Sequence, residues 1–171
     1  FPDTYRVTLA RTAEDILHQL VARFHEVWTP AYDERATALG LSVHQVMTLA
    51  SIVEKETGAA HERPLIASVF LNRLKQGMPL QSDPTVIYGL PHFDGNLRKE
   101  DLSHPHHYNT YVHPGLPPGP IASPGKASIE AVLNPAETSY LYFVAKGDGT
   151  HEFTSSLSDH LRAVMRYQLE R

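Results

Sequence analysis

The chain has 171 residues, 42% hydrophobic and 20% charged, which suits one domain with a buried core and excludes a disordered chain. A formal net charge of −4 without a basic patch argues against nucleic-acid binding, and no apolar run reaches the roughly 18 residues that a membrane-spanning helix needs. Cysteine is absent, which removes disulfides, zinc–thiolate sites and cysteine nucleophiles together.

Residues 1–8 read as extended. They open FPDTYRV, without a Met or a signal peptide, so the chain is expected to be a piece of something longer. A long helix is predicted from Thr12 to Ala38, with Leu17, Leu20, Val21, Phe24, Val27 and Trp28 as its apolar face. Pro30 should kink or break it, and Gly40 should stop it. Ser42 and Gln45 have the spacing of a capping box for the next helix, over 42–60.

That helix carries the most informative residue. At about 100° per residue, Val46, Leu49, Ile52, Val53 and Ala60 share one face, and Glu56 falls within roughly 20° of Leu49. Glu54 is expected on the opposite side, in water. A carboxyl group held against apolar walls is costly to ionise, so its pKa rises and it can serve as a general acid near neutral pH. An inward Glu can equally be a structural acid paired with Arg63 or Arg73, since ion-pair networks also perturb pKa values.

A third helix is predicted from Glu62 to Gln76, with Pro64 in its first turn, Gly77 at its end and Ile66, Val69, Phe70 and Leu74 as its stripe. It should pack on the Glu56 helix as a helical hairpin. Asp83-Pro84 reads as turn chemistry. Between His104 and Gly125 lie six prolines and three glycines, interleaved with Tyr108, Tyr111, Val112, Leu116 and Ile121. Such a segment is expected to be an ordered loop lining a site. A short helix over 128–133 is stopped by Asn134-Pro135. Two strands, 140–145 and 151–154, are joined by a turn over 146–149. A final helix is predicted over 156–169, with Leu161, Val164, Met165 and Leu169 inward. The fold class is α+β, mostly helical, with a small antiparallel β element.

Eleven histidines invite a metal reading. However, His104, His106 and His107 lack metal-ligand spacing, His18 and His25 are seven apart on an exposed face, and no HExxH occurs. They read as loop and surface imidazoles, and neither a metal nor a cofactor is expected. No GxSxG elbow, Walker loop or GxGxxG occurs. The segment 80–89 mixes the polar groups of Gln81, Ser82, Asp83, Thr85 and Tyr88 with Leu80, Val86 and Ile87. The segment 108–111 sets Tyr108 and Tyr111 around Asn109 and Thr110. Rings that stack on sugar faces, with amides and hydroxyls for sugar hydroxyls, are what a glycan groove requires.

At these residues the sequence resembles the endolytic murein transglycosylases, the MltG/YceG-like family. The resemblance rests on FPDTY at 1–5, LASIVEKET at 49–57, ERPLIASVFLNRL at 62–74, GMPLQSDPTVIYG at 77–89, YNTY at 108–111, GLPPGPIASPG at 115–125 and the block from 133 to 160. It runs in order along essentially the whole chain, and implies a single lysozyme-like catalytic domain over 1–171. It makes Glu56 the catalytic acid. Glu56-Thr57 resembles the Glu-Ser of the wider lytic transglycosylases and goose-type lysozymes, and Gln81 and Tyr108-Asn109 resemble their downstream motifs. Thr57, Gln81, Ser82, Asp83, Thr85, Tyr88, Tyr108, Asn109, Thr110 and Tyr111 are thus the expected glycan-contacting set.

The resemblance further implies a membrane-anchored enzyme acting on peptidoglycan outside the cytoplasmic membrane. Peptidoglycan glycan strands would be its substrate and peptidoglycan synthases its partners. The transmembrane helix and LysM-like subdomain usual in the family are not in this chain. Endolytic action and strand termination come from the resemblance alone. Three other classes stay open at this point: a hydrolytic muramidase using Asp83 as a second carboxylate, a non-catalytic glycan-binding module, and a metal-dependent enzyme.

Overall fold

Thr12 and Ser42 start two helices with the capping boxes their sequences carry, and the computed structural model of the chain is built around the second of them. The structure describes residues 1–8 and 10–169. Helices α1 (Ala13–Val27) and α2 (Pro30–Leu39) replace the one long helix expected. Trp28 is extended, and Pro30 takes the first helical position, where its missing N–H is no loss.

This break corrects the expected α1 face. Leu17 and Val21 are 61% and 53% exposed, and only Val27 is buried. Once the chain turns at 28–29, the far end of α1 has no core to lie on. Phe24, stacked on Trp28 at 5.8 Å, is near the inner end of α1, and Trp28 packs against the core.

Helix α3 (Val43–Glu56) is the centre. Ser42 Oγ accepts from Gln45 N at 3.2 Å, and Ser42 N donates to Gln45 Oε1 at 2.9 Å. Val46, Leu49, Ile52 and Val53 are fully buried with Ile66 and Phe70 of α4 (Arg63–Lys75) and Ile129, Val132 and Leu133 of α6 (Lys126–Leu133). Each such side chain contributes about 1.5–3 kcal/mol by leaving water. Helices α3 and α4 pack together as the hairpin expected. Helix α3 ends at Glu56, not at Ala60: Thr57 is extended, and exposed Ala60 begins a separate one-turn helix, Ala60–Glu62.

Asp83-Pro84 opens a helix, α5 (Asp83–Gly89), beyond the turn its chemistry suggested. The Pro-rich stretch is anchored to α3 by the bond between His44 Nε2 and the Pro118 carbonyl (2.9 Å) and by Ile121 N donating to Ser51 Oγ (2.9 Å). Strands β1 (Tyr142–Ala145) and β2 (His151–Thr154) pair antiparallel, Phe143 opposite Phe153. Helix α7 (Leu157–Val164) runs on into a π-helical turn, Met165–Leu169.

Here too the expected inward set needs correction. Leu161, Met165 and Leu169 are more than half exposed, whereas Ala163 is buried and Val164 partly so. The hairpin meets the edge carrying His160, Ala163 and Val164, and the i, i+4 apolar stripe faces away. The fold is α+β and mostly helical, with one two-stranded antiparallel sheet among the described residues. Among the described residues no single helix is long and apolar enough to cross a membrane.

Candidate active site

Glu56 is the last residue of α3, and its carboxyl group is partly buried at the wall of a cleft of about 350 Å³. The other walls come from Arg73 of α4, Gln81 and Asp83, Tyr111, the hairpin residues Phe143 and His151, and His160 and Val164 of α7. Burial raises the Glu56 pKa first. The Ser82 hydroxyl, donating to Oε1, lowers it; the Asp83 charge raises it; the Arg73 charge lowers it. The net position is about 7, up from 4.5. At neutral pH such a group is present both as an acid and as its base.

Glu54, the other acid of the EKE run, does not point into water. Its Oε2 accepts from Gly125 N at 3.2 Å and from Ser128 Oγ at 2.5 Å. It caps the start of α6, where the unpaired N–H groups and helix dipole favour an anion. The two glutamates thus serve different ends: one holds a helix in place and the other faces a cleft.

The segment 81–85 is locked onto 109–111. Gln81 N donates to the Thr110 carbonyl at 3.1 Å, and Ser82 N to Thr110 Oγ1 at 3.0 Å. Thr85 Oγ1 lies 2.6 Å from the Ser82 carbonyl and 2.8 Å from Thr110 Oγ1. Gln81 has φ 52°, and no other non-glycine among the described residues has positive φ. Such strain persists only where surroundings over-determine it, commonly at functional sites. Arg73 supplies part of that hold. Its guanidinium donates to the carbonyls of Leu141 (2.7 Å), Pro79 (3.2 Å) and Leu80 (2.8 Å), and to Gln81 Oε1 at 3.3 Å.

The expected glycan-contacting residues divide by position. Gln81, Asp83 and Tyr111 line the cleft with Glu56, and Ser82 touches Glu56 itself. Tyr111 OH donates to Asp83 Oδ1 at 2.6 Å; burial, then this bond, raises the phenol's pKa. Thr85, Asn109 and Thr110 are fully buried behind that wall. Asn109 Nδ2 reaches the carbonyls of Leu102 (3.1 Å) and His104 (2.8 Å). Thr57 is buried at the end of α3, its Oγ1 accepting from Ala59 N at 2.9 Å. Tyr88 and Tyr108 form a separate aromatic pair, ring centroids 4.7 Å apart, and neither is among the residues lining the cleft.

The family model described as YceG-like matches residues 1–166. The chain belongs to the YceG-like family. A Bacillus subtilis member named endolytic murein transglycosylase is 41% identical over 168 residues, 98% of this chain and 46% of that protein. A Streptococcus pneumoniae protein of the same name is 34% identical, over 98% of this chain and 31% of its own length. A crystal structure of a yceG-like protein from Listeria monocytogenes superposes with a TM-score of 0.84 at 39% identity, covering 95% of this chain and 52% of that one. The chain thus spans about half or less of the YceG-like proteins it matches.

Sequence reading missed several members of this YceG-like cleft. His151 is hydrogen-bonded to Glu62, and His160 stacks on Tyr142 with centroids 5.1 Å apart. Their partners are distant in sequence, and no local motif marks them. Among the described residues, no group of three His, Asp or Glu side chains is placed to hold a metal ion.

Proposed function

We propose that this chain is the catalytic part of an endolytic peptidoglycan lytic transglycosylase, cutting the MurNAc-β-1,4-GlcNAc bond without water and leaving 1,6-anhydro-MurNAc ends. The observation that carries this reading is Glu56, alone among the acids of the described residues in combining a cleft-facing carboxyl with a pKa raised to about 7. The names of the Bacillus and Streptococcus relatives support the substrate class.

Protonated Glu56 gives its proton to the departing GlcNAc oxygen as C1 of MurNAc gains oxocarbenium character. The resulting carboxylate takes the proton from the MurNAc C6 hydroxyl, whose oxygen closes on C1. The C1–O4 bond breaks, a C1–O6 bond forms, and Glu56 ends protonated as it began. One group whose pKa lies near neutrality can serve both steps. The Ser82 hydroxyl supports both states, because it can donate to a carboxyl carbonyl as well as to a carboxylate.

The reading extends to an enzyme tethered at the outer side of the cytoplasmic membrane, ending glycan strands during wall assembly beside peptidoglycan synthases. A hydrolytic muramidase is the runner-up, favoured by Asp83 on the same cleft. A non-catalytic glycan-binding module is third. Mass spectrometry of ends released from uncrosslinked glycan strands tests all three, with wild type and Glu56→Gln in parallel. Ends one water lighter than reducing MurNAc, absent with Glu56→Gln, are expected. Ordinary reducing ends would support the muramidase. Binding without release by either protein would support the module.

A further inference from the structure

Glu62 and His151 lie 89 residues apart in sequence and meet beside the cleft. Glu62 is 3% exposed. Its Oε1 accepts the backbone N–H of His151 at 2.8 Å, and its Oε2 meets the ring Nδ1 at 2.7 Å. The backbone bond alone would fasten β2 to the one-turn helix. The second bond fixes the rotation of the ring. Phe143 meets that ring edge-on, centroids 5.5 Å apart and planes at 89°, and Phe153 lies at 6.3 Å.

Burial by itself would raise the Glu62 pKa, but the hydrogen bonds from His151 outweigh it and the net shift is downward. Glu62 is therefore a carboxylate, which accepts and cannot donate. When the imidazole is neutral, its proton must then sit on Nδ1, and Nε2 carries a lone pair. His151 lines the same cleft as Glu56, and Glu62 occupies the Nδ1 edge of its ring. Nε2 is the ring nitrogen left for the cleft.

We propose that His151 Nε2 accepts a hydrogen bond from a sugar hydroxyl or acetamido N–H of the bound strand, and that Glu62 is the positioning residue that holds the ring in that tautomer. This rests on the reading that the cleft takes a glycan strand. Phe143, beside His151 in the cleft wall, offers an apolar face to the C–H side of the same sugar.

The test uses the Glu56→Gln protein, in which turnover is expected to stop, and glycan strands stripped of peptide, so that only sugar groups can donate. In nitrogen NMR of the free protein, followed upward in pH until the ring carries a single proton, His151 Nε2 is expected as an unprotonated acceptor whose resonance moves on strand binding. Adding His151→Phe, which keeps an aromatic ring between Phe143 and Phe153, should weaken binding about three- to tenfold, the loss of one hydrogen bond. Adding Glu62→Gln should weaken binding similarly and move the ring proton to Nε2. A singly protonated ring that carries its proton on Nε2, an Nε2 resonance unmoved at saturating strand, or unchanged binding by His151→Phe would each overturn the assignment. The spectrum of the intact Glu62–His151 pair decides even where Glu62→Gln does not fold. Release of products by wild type is scored separately. Products with an indifferent His151 overturn this inference alone; a protein that neither binds nor cleaves strands overturns the glycan reading with it.

Discussion

The Ser82 hydroxyl donates to Glu56 Oε1 across 26 residues of sequence. Ser82 stands at the N-cap of α5, where a serine hydroxyl ordinarily accepts from the helix's own N–H groups, yet it makes no such bond. The cap has been given over to the carboxyl group. Thr85 and Thr110 hold the Ser82 backbone from behind, so the donor arrives at Glu56 already oriented.

Ser82→Ala removes the contact that lowers the Glu56 pKa. Burial then acts with less opposition, and the pKa should rise above about 7. The alkaline limb of the kcat/KM–pH profile should move to higher pH, while kcat falls roughly tenfold for loss of a charge-assisted hydrogen bond. A pH profile that stays in place would show that Ser82 does not tune the acid.

Glu56 should also oppose stability at alkaline pH. Its folded pKa, about 7, lies above the ordinary 4.5. The folded state therefore binds more protons between those values, so the contribution is fully present below 4.5 and lost as pH rises through about 7. Glu56→Gln cannot ionise. Its unfolding free energy should exceed that of wild type above that range, by at most about 3 kcal/mol, with a smaller difference below 4.5. Denaturant curves at the two pH extremes check this.

Arg73→Met should destabilise the fold by about 3 kcal/mol, because three backbone carbonyls and the Gln81 amide lose a buried donor at once. Arg73→Lys should recover little, since one ammonium cannot reproduce the guanidinium fork. Chemical denaturation of the two variants measures both.

Gly89→Ala should cost about 1–3 kcal/mol by overpacking. A Cβ there would lie 2.1–2.6 Å from ring atoms of His106. Gly58→Ala, with nothing within 4 Å, is the control and should stay within about 0.5 kcal/mol of wild type. Equal melting temperatures for the two would contradict the close packing of His106 on α5.

Asp83→Asn separates the one-acid from the two-acid scheme. Asp83 takes the Tyr111 hydroxyl at 2.6 Å and opens α5, and in the one-acid scheme it orders this loop. Asp83→Asn should keep substantial activity while Glu56→Gln loses nearly all. Equal loss in two folded proteins would favour the muramidase.

The features legible in the sequence were those fixed by near neighbours. The Ser42–Gln45 capping box, the inward placing of Glu56 between Ile52 and Val53, the α3–α4 hairpin and the two strands all follow from spacing within a turn or two. The misread features depend on what an element meets. A helical wheel places Glu54 opposite Leu49 but cannot know that the start of α6 waits there. Leu17, Val21, Leu161 and Met165 have the spacing of a buried face, yet the break at Trp28 and the docking edge of α7 leave them outside. The Glu62–His151 pair is a tertiary contact with no local signature. Helix α5 hid behind turn chemistry because Asp-Pro opens helices and turns alike.

If Glu56 is the single acid and base, glycan strands are cut with no water entering the product. The most direct measurement is cleavage of purified strands in heavy-oxygen water, followed by the masses of the new ends. The expected ends carry no heavy oxygen at C1, are one water lighter than reducing MurNAc and are absent with Glu56→Gln. New reducing ends carrying one heavy oxygen would contradict it and make Asp83 the water-activating carboxylate to examine.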